Sequence, residues 1–466
     1  MVGGKPNPVT IHIHGILLLT LVISGCGAVA TQTKFYAPVT EELESGRYEL
    51  AAQKFEVARK KFGHKDRFLY FIDSGALYHY AGSHDSSIAR LSLAETAAEE
   101  LFTRSISRAA GSLLLNDNLL EYSGEDHEIL YANLLKALAF AAKGDYEGAF
   151  VEIRRANLKL NLLEQKYLDA TEIFNRNKSK DDAEVNYEAR KVRFNNDAFA
   201  RYLSMHMYAA LGKMDDARID FELLGEAFVT QPHIYDFARP EVKYSSDSAA
   251  ILSVVGLVGL SPVKEALNLR IRTDKDLNLV QVLYTDSENK DAEYGHLPWP
   301  VSEDYYFKFA IPKLVKRPTD IASIRVFADS ICLGQLDLLE DIGRVAEETF
   351  EAKKSLIYLR SLARAVVKGL AGHKLKKKVD SDGFEGWLKK AAIDVGADIT
   401  ENADLRCARF LPGQIFVADI EIPPGIYDFK LEFLDFNGHK IGEEIRNDMA
   451  VSGRGFNLLQ VSCTAY

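Results

Sequence analysis

Apolar positions between residues 41 and 230 recur at helical spacing, and four stretches share one layout. Gly46, Gly82, Gly144 and Gly212 are each followed by side chains at offsets of two, five, nine and twelve. These are Tyr48, Ala51, Phe55 and Ala58; His84, Ser87, Leu91 and Ala94; Tyr146, Ala149, Ile153 and Ala156; and Met214, Ala217, Phe221 and Leu224. Such offsets place each set on one face of a helix. The glycine ahead of each set predicts a turn with backbone angles that other residues avoid. The best-formed unit is 129–157, where Leu134, Leu138 and Ala141 make a stripe on a preceding helix, with Ala137 and Phe140 beside it. The glycines lie 36, 62 and 68 residues apart (82 − 46, 144 − 82, 212 − 144). One helix pair fits the first interval, and a degenerate or elongated pair is expected in each of the others. Gln231-Pro232 and Arg239-Pro240 end this regime.

Beyond them the pattern predicts strands at 250–260, 266–272, 277–285, 304–311 and 321–328. A long helix is expected at 336–371 and a shorter one at 383–395, followed by strands at 404–410, 414–422, 426–436, 440–446 and 456–463. Asn437-Gly438 marks a hairpin turn. The expected fold is therefore α+β and multidomain, with a helical array at 41–230 and a β-sandwich-like domain at 241–466. A helical insertion interrupts the second domain at about 336–396.

The four glycine-led units resemble the tetratricopeptide repeat, a helix pair of about 34 residues that stacks because it cannot bury its apolar face alone. The resemblance implies an α-solenoid and a protein partner held on the array.

The chain starts with one charged side chain, Lys5, before Lys34. Between them lie ILLLTLVI (16–23) and Ser24-Gly25-Cys26. This is the composition of a secretory signal peptide, and the run is shorter than the roughly 20 residues that cross a bilayer as a helix. Ile23-Ser24-Gly25-Cys26 resembles the lipobox of bacterial lipoproteins. That resemblance implies a signal peptide at 1–25, lipidation of Cys26 on sulfur and amino terminus, and a tether over 26–40. Gly27 follows the cysteine where an aspartate would favour inner-membrane retention, which implies the outer membrane, facing the periplasm. Three further segments are FKFAIPKLVKRPTDIASIRVFA (307–328), SLIYLRSLARAVVKG (355–369) and LRCARFLPGQIFVADIEIPPGIYDFKL (405–431). Together with the lipobox and the array they are similar to a family of bacterial lipoproteins without an assigned activity. The family implies an envelope location and this two-part architecture, and it brings no catalytic residues.

A net charge of −10 without a long basic tract argues against nucleic acid as partner, since that binding draws on phosphate neutralisation. No GxxxxGK[ST], HExxH or GxSxG motif occurs, so no catalytic residue, cofactor or metal ligand is expected. Gly256 and Gly259 sit in an apolar run that reads as a strand or bulge, not a nucleotide loop. His79 and His84, five apart across a helix end, read as solvated or packed. Asp380-Ser381-Asp382-Gly383 reads as a turn and helix cap, and Asp215-Asp216 and Glu347-Glu348 as solvated helix faces. The basic run from His373 to Lys378 reads as a solvated helix end, with contact to anionic headgroups as the alternative. Trp299, Tyr305, Tyr306 and Trp387 read as core aromatics, with a glycan surface as the alternative. Cys332, Cys407 and Cys463 allow at most one disulfide, or serve as buried thiols. The expected function is a membrane-tethered, non-enzymatic interaction scaffold. A glycan- or peptidoglycan-binding role of the β-rich domain is the alternative, and an enzyme built from distant loops a third.

Overall fold

The computed structural model describes residues 33–109, 120–176, 192–246, 249–277, 279–285, 291–298, 304, 306–354, 357, 361 and 403–464. Cys26, Trp299, Tyr305, Trp387, the 373–378 basic run and the 380–383 turn lie outside them, as does the expected helix at 383–395.

Among the described residues, eight α-helices in the first half form four hairpins: α1 (Thr33–Glu44) with α2 (Tyr48–Val57), α3 (Arg67–Tyr80) with α4 (His84–Ala109), α5 (Asp126–Ala142) with α6 (Tyr146–Arg176), and α7 (Ala198–Ala210) with α8 (Met214–Thr230). The four repeated glycines are the four turns. Their φ angles are 70°, 68°, 75° and 72°, in the left-handed region where glycine carries no Cβ penalty. Each turn closes with the same pair of backbone bonds. The glycine N–H reaches three residues back and the next N–H five back, as in Gly144 to Ala141 (2.9 Å) and Asp145 to Phe140 (2.9 Å). The long sequence intervals hold the elongated helices α4 and α6, of 26 and 31 residues. Residues 33–40, expected as tether, belong to helix α1, with Tyr36 and Val39 buried.

Within each hairpin the two helices have different neighbours. The first helices, α1, α3, α5 and α7, are the inner layer. Tyr36, Tyr80, Glu128 and Tyr202 on them all touch the β-rich half. The second helices, α2, α4, α6 and α8, carry exposed apolar side chains such as Val57, Leu93, Leu158 and Val229. Helix α5 is buried along almost its whole length, which explains why ILYANLLKALAFAA is largely apolar, and its buried Asn133 and Lys136 bond Glu95 and Glu152.

The second half holds eleven strands among the described residues: β1 (Ala250–Val258), β2 (Val263–Asp274), β3 (Leu279–Thr285), β4 (Asp291–Pro298), β5 (Tyr306–Val315), β6 (Ser323–Ala328), β7 (Ile331–Asp341), β8 (Gln414–Ile422), β9 (Gly425–Leu434), β10 (Lys440–Val451) and β11 (Asn457–Cys463). Four form one sheet in the order β4-β3-β2-β5, and seven form another in the order β10-β9-β6-β7-β8-β1-β11. The expected sandwich is not what forms. The large sheet is barrel-like, curling around its own apolar face. Leu252 and Val254 (β1), Ile324 and Val326 (β6), Leu336 (β7), Phe416 (β8), Phe429 and Leu431 (β9) and Leu459 and Val461 (β11) share one interior cluster. Ile324 reaches across to β1, with β7 and β8 between them in the sheet. A Cβ on Gly256 would lie 2.6 Å from its Cδ1, so the glycine leaves the space that the curl needs.

Three further expectations change. Residues 336–341, placed in a helix, end strand β7, and the helix, α9, starts at 342 and is described at 342–354, 357 and 361, with Asp341 accepting the Arg344 N–H at 3.1 Å. Its pattern LDLLED alternates as well as it turns, and pairing of β7 with β8 decides. Residues 404–410 are an irregular buried segment, not a strand. Strand β4 was not foreseen in DAEYGHLP, which has few strand-forming residues. Among the described residues no helix is long and apolar enough to cross a membrane.

Candidate functional site

The inner helices do not present a free face, because the sheet and the segment 403–411 lie against them. Arg406 of that segment is 1 % exposed. It donates to Asp66 Oδ1 (3.1 Å), Asp404 Oδ2 (2.8 Å) and the Leu120 carbonyl (2.9 Å). Asp73 on α3 accepts the backbone N–H groups of Arg409 (2.7 Å) and Phe410 (3.2 Å) through one oxygen. Glu128 on α5 accepts the Ala408 N–H at 2.6 Å. Burial pushes the Asp73 and Glu128 carboxyls up to about 7 each, against the hydrogen bonds that favour their charged forms. Helix carboxyls thus hold an irregular stretch of the chain's own backbone against the inner helices.

A cavity of about 740 Å³ lies instead where the ends of the first two hairpins meet the open seam of the sheet. Strands β10 and β11 are the sheet's two edges. They are joined by residues 452–456, and at the joint the Asn457 side chain bonds both Ser452 N–H and Ser452 C=O at 2.8 Å. From there the strands run past each other without a ladder. Glu444, Arg446 and Met449 line one wall, and Leu458, Gln460 and Ser462 the other. The floor comes from the hairpin turns through Arg47, Tyr48, Gln53, His79 and His84. The cavity falls in the size range of ligand sites.

Its polar groups are incompletely paired. His79 is 1 % exposed, with Nε2 at 2.8 Å from the Gln460 side-chain nitrogen. Its Nδ1 and the Gln460 Oε1 have no partner, nor does the buried Nδ1 of His84. Turning the amide over does not help, since each orientation leaves one ring nitrogen and one amide atom unpaired. Burial, aided by His84, holds His79 down at about 3, and burial also lowers His84, so both rings are neutral at pH 7. The two rings sit edge to face at 5.7 Å. Tyr48 donates to the Ser462 carbonyl at 2.6 Å, and Glu444 accepts the Ser462 N–H at 3.4 Å. Burial raises the Glu444 carboxyl, while Arg446 beside it pulls the other way. Arg47 at the mouth pairs with Glu42. The ensemble is a neutral, hydrogen-bonding surface with apolar side chains at its rim.

Two other buried clusters lie at the helix–sheet boundary. Ser253, His206 and Asp419 come together, but not as a nucleophilic triad. Asp419 sits 3.0 Å from His206 Nε2, and Ser253 Oγ is 3.3 Å from both ring nitrogens, so it faces neither squarely. Phe456 stacks on the His206 ring at 5.3 Å and Tyr202 packs edge-on at 4.5 Å. Glu340 accepts from Tyr235 (2.9 Å), and Tyr131 donates to Asp197 (3.2 Å). Burial raises both carboxyls, Asp197 to about 6, and each one's charge raises the other further when it ionises.

Of the residues singled out in the sequence, His79 and His84 are brought together in the cleft. No group of His, Cys, Asp or Glu among the described residues could hold a metal ion. Cys332 is exposed and Cys407 buried, and the three described cysteines form no disulfide. Tyr48, Gln460, Glu444, Asp73, Glu128 and Arg406 were not foreseen. Tyr48 was visible only as a repeat position. Two arginines, Arg406 and Arg409, in the otherwise apolar stretch LRCARFLP were the one sign that Arg406 is buried and paired. No protein-family model, curated protein or solved structure matches the chain.

Proposed function

We propose that this chain is a membrane-tethered lipoprotein of the bacterial envelope, held by lipid on Cys26 and acting as a non-enzymatic binding scaffold. Its four glycine-turned hairpins are tetratricopeptide-like units put to internal use. They carry the sheet, and the partner binds at the seam between β10 and β11. The supporting observation is the cleft itself: both halves of the chain wall it, and it holds unpartnered buried polar atoms on His79 and Gln460. Buried polar atoms without partners are rare in folded proteins, and a ligand that bonds them gains what the free protein lacks. The lipobox resemblance supports the anchor and an outer-membrane, periplasm-facing location.

A photo-reactive amino acid at Gln53, in the cleft floor, tests the reading in the native envelope. A protein adduct supports it. Adducts of glycan alone would transfer the function to peptidoglycan binding. For the anchor, Cys26→Ala is expected to abolish incorporation of labelled fatty acid and to leave the precursor uncut, and persistent labelling would refute the lipobox reading.

A further inference from the structure

We infer that the seam takes an extended stretch of a partner polypeptide as an added strand on the free edge of β11, an inference that rests on the cleft being the binding place. Backbone groups point to alternate sides along a strand. The Cys463 carbonyl accepts the Gly259 N–H at 2.9 Å, so Cys463 faces the β1 side. Ser462 therefore faces the seam. There its C=O is held by the Tyr48 hydroxyl at 2.6 Å and its N–H by the Glu444 carboxyl at 3.4 Å. Two side chains stand where a neighbouring strand would place its own N–H and C=O. Gln460 and Leu458 follow in the same alternation, within a stretch, Leu458 to Ser462, that lines the cleft throughout. Because β11 ends the strand order, no strand of the sheet pairs with them on that side.

A main chain in extended form supplies donor and acceptor groups at this alternation, which is the chemistry of strand addition. His79 supplies the independent sign of a ligand. It is 1 % exposed, lines the same cleft and has an unpartnered Nδ1 beside the unpartnered Gln460 Oε1. A neutral imidazole and an amide suit an uncharged polar side chain, such as an amide or hydroxyl, on the incoming strand. Leu50, Met449 and Leu458 offer apolar contact to its neighbours. Arg47 and Arg446 already pair with Glu42 and Glu444, so neither cation is open to an acidic side chain, and Glu49 stands exposed in the lining. The occupant is an extended, uncharged peptide segment of mixed polar and apolar side chains.

Two probes test this on the full chain: a phage-displayed library of random dodecapeptides, and chitohexaose as a glycan. Selected peptides are expected to slow hydrogen exchange at the Leu458 and Gln460 amides. Gln460→Pro, which removes both the seam-facing N–H and the amide, is expected to weaken binding about tenfold, while Gln460→Ala, which keeps the N–H and loses only the amide, weakens it about threefold. If Gln460→Pro does not fold, the exchange result on the unaltered chain decides. Peptides that bind without protecting the β11 amides, or equal effects of the two substitutions, would overturn the strand. Cleft protection by chitohexaose with no peptide selected would overturn the strand and leave the cleft reading standing. No protection by either probe would overturn both.

Discussion

On its concave side the large sheet meets Leu252, Val254, Ile324, Phe429 and Leu431, an interior of hydrocarbon. On the other side strands β7 and β8 meet the helical half through His206 on Asp419, Tyr202 on Asp419 and, from the loop after the last hairpin, Tyr235 on Glu340. The apolar interior is held by burial, which is strong and non-directional. The boundary is apolar too, since Val255, Leu257, Leu339, Ile415 and Val417 share one buried cluster with the helices, but it adds bonds with fixed geometry, whose partners cannot be exchanged without leaving a buried polar atom unmet. Burial alone would let the hairpins slide on the sheet. The polar layer supplies the reason they sit where they do, and it places the ends of the first two hairpins over the seam.

This contrast can be broken at several points. Arg406→Ala leaves Asp66 and Asp404 without their cation in a buried place, and a loss of about 3–5 kcal/mol is expected in urea unfolding. A loss below about 1 kcal/mol would show that the boundary tolerates unmet charge. Leu431→Ala in the interior is expected to cost about 3 kcal/mol through lost transfer energy and a cavity. It should leave peptide binding at the seam unchanged in the fraction that stays folded.

Asp73→Asn sharpens the comparison through pH. The folded Asp73 carboxyl is held up at about 7, above the ordinary carboxylate value. A raised acid contributes stability that is complete below about pH 4 and is lost as pH rises to about 7. Asparagine keeps the acceptor for Arg409 and Phe410 but does not ionise. The variant should therefore match the parent near pH 4 and exceed it at pH 8 by on the order of 2 kcal/mol. Equal pH profiles in chemical denaturation would show that Asp73 does not titrate there. The smallest effect is expected at Gly144→Ala. No atom lies within 4 Å of the added Cβ, so the cost is that of φ at 75° alone, about 1 kcal/mol in thermal unfolding.

The four hairpins were legible because a glycine at positive φ and a small-large face leave a local mark, and Gly46, Gly82, Gly144 and Gly212 all fall at turns. Most strands were legible from alternation. The sheet's closure was not, because β1 is buried on both faces and its pattern names neither neighbour nor curvature. The segment at 404–410 was misread for a related reason. Its apolar side chains look like a strand, but Asp73 and Glu128 take its N–H groups, more than 270 residues away in the chain. The cleft left little trace. Gln460 and His79 are 381 residues apart, and neither carries a motif.

Strand β11, the last of the chain, pairs in parallel with β1, the first strand of its sheet, and Thr464 donates to the Leu43 carbonyl of the first helix at 2.8 Å. The tertiary structure therefore cannot be finished before residues 457–464 have been made. Helical hairpins can form early from local contacts, but the surface that orders them waits for residues 457–464. Folding is expected to be late and concerted, and a chain cut before Asn457 should be open at both ends and quickly degraded.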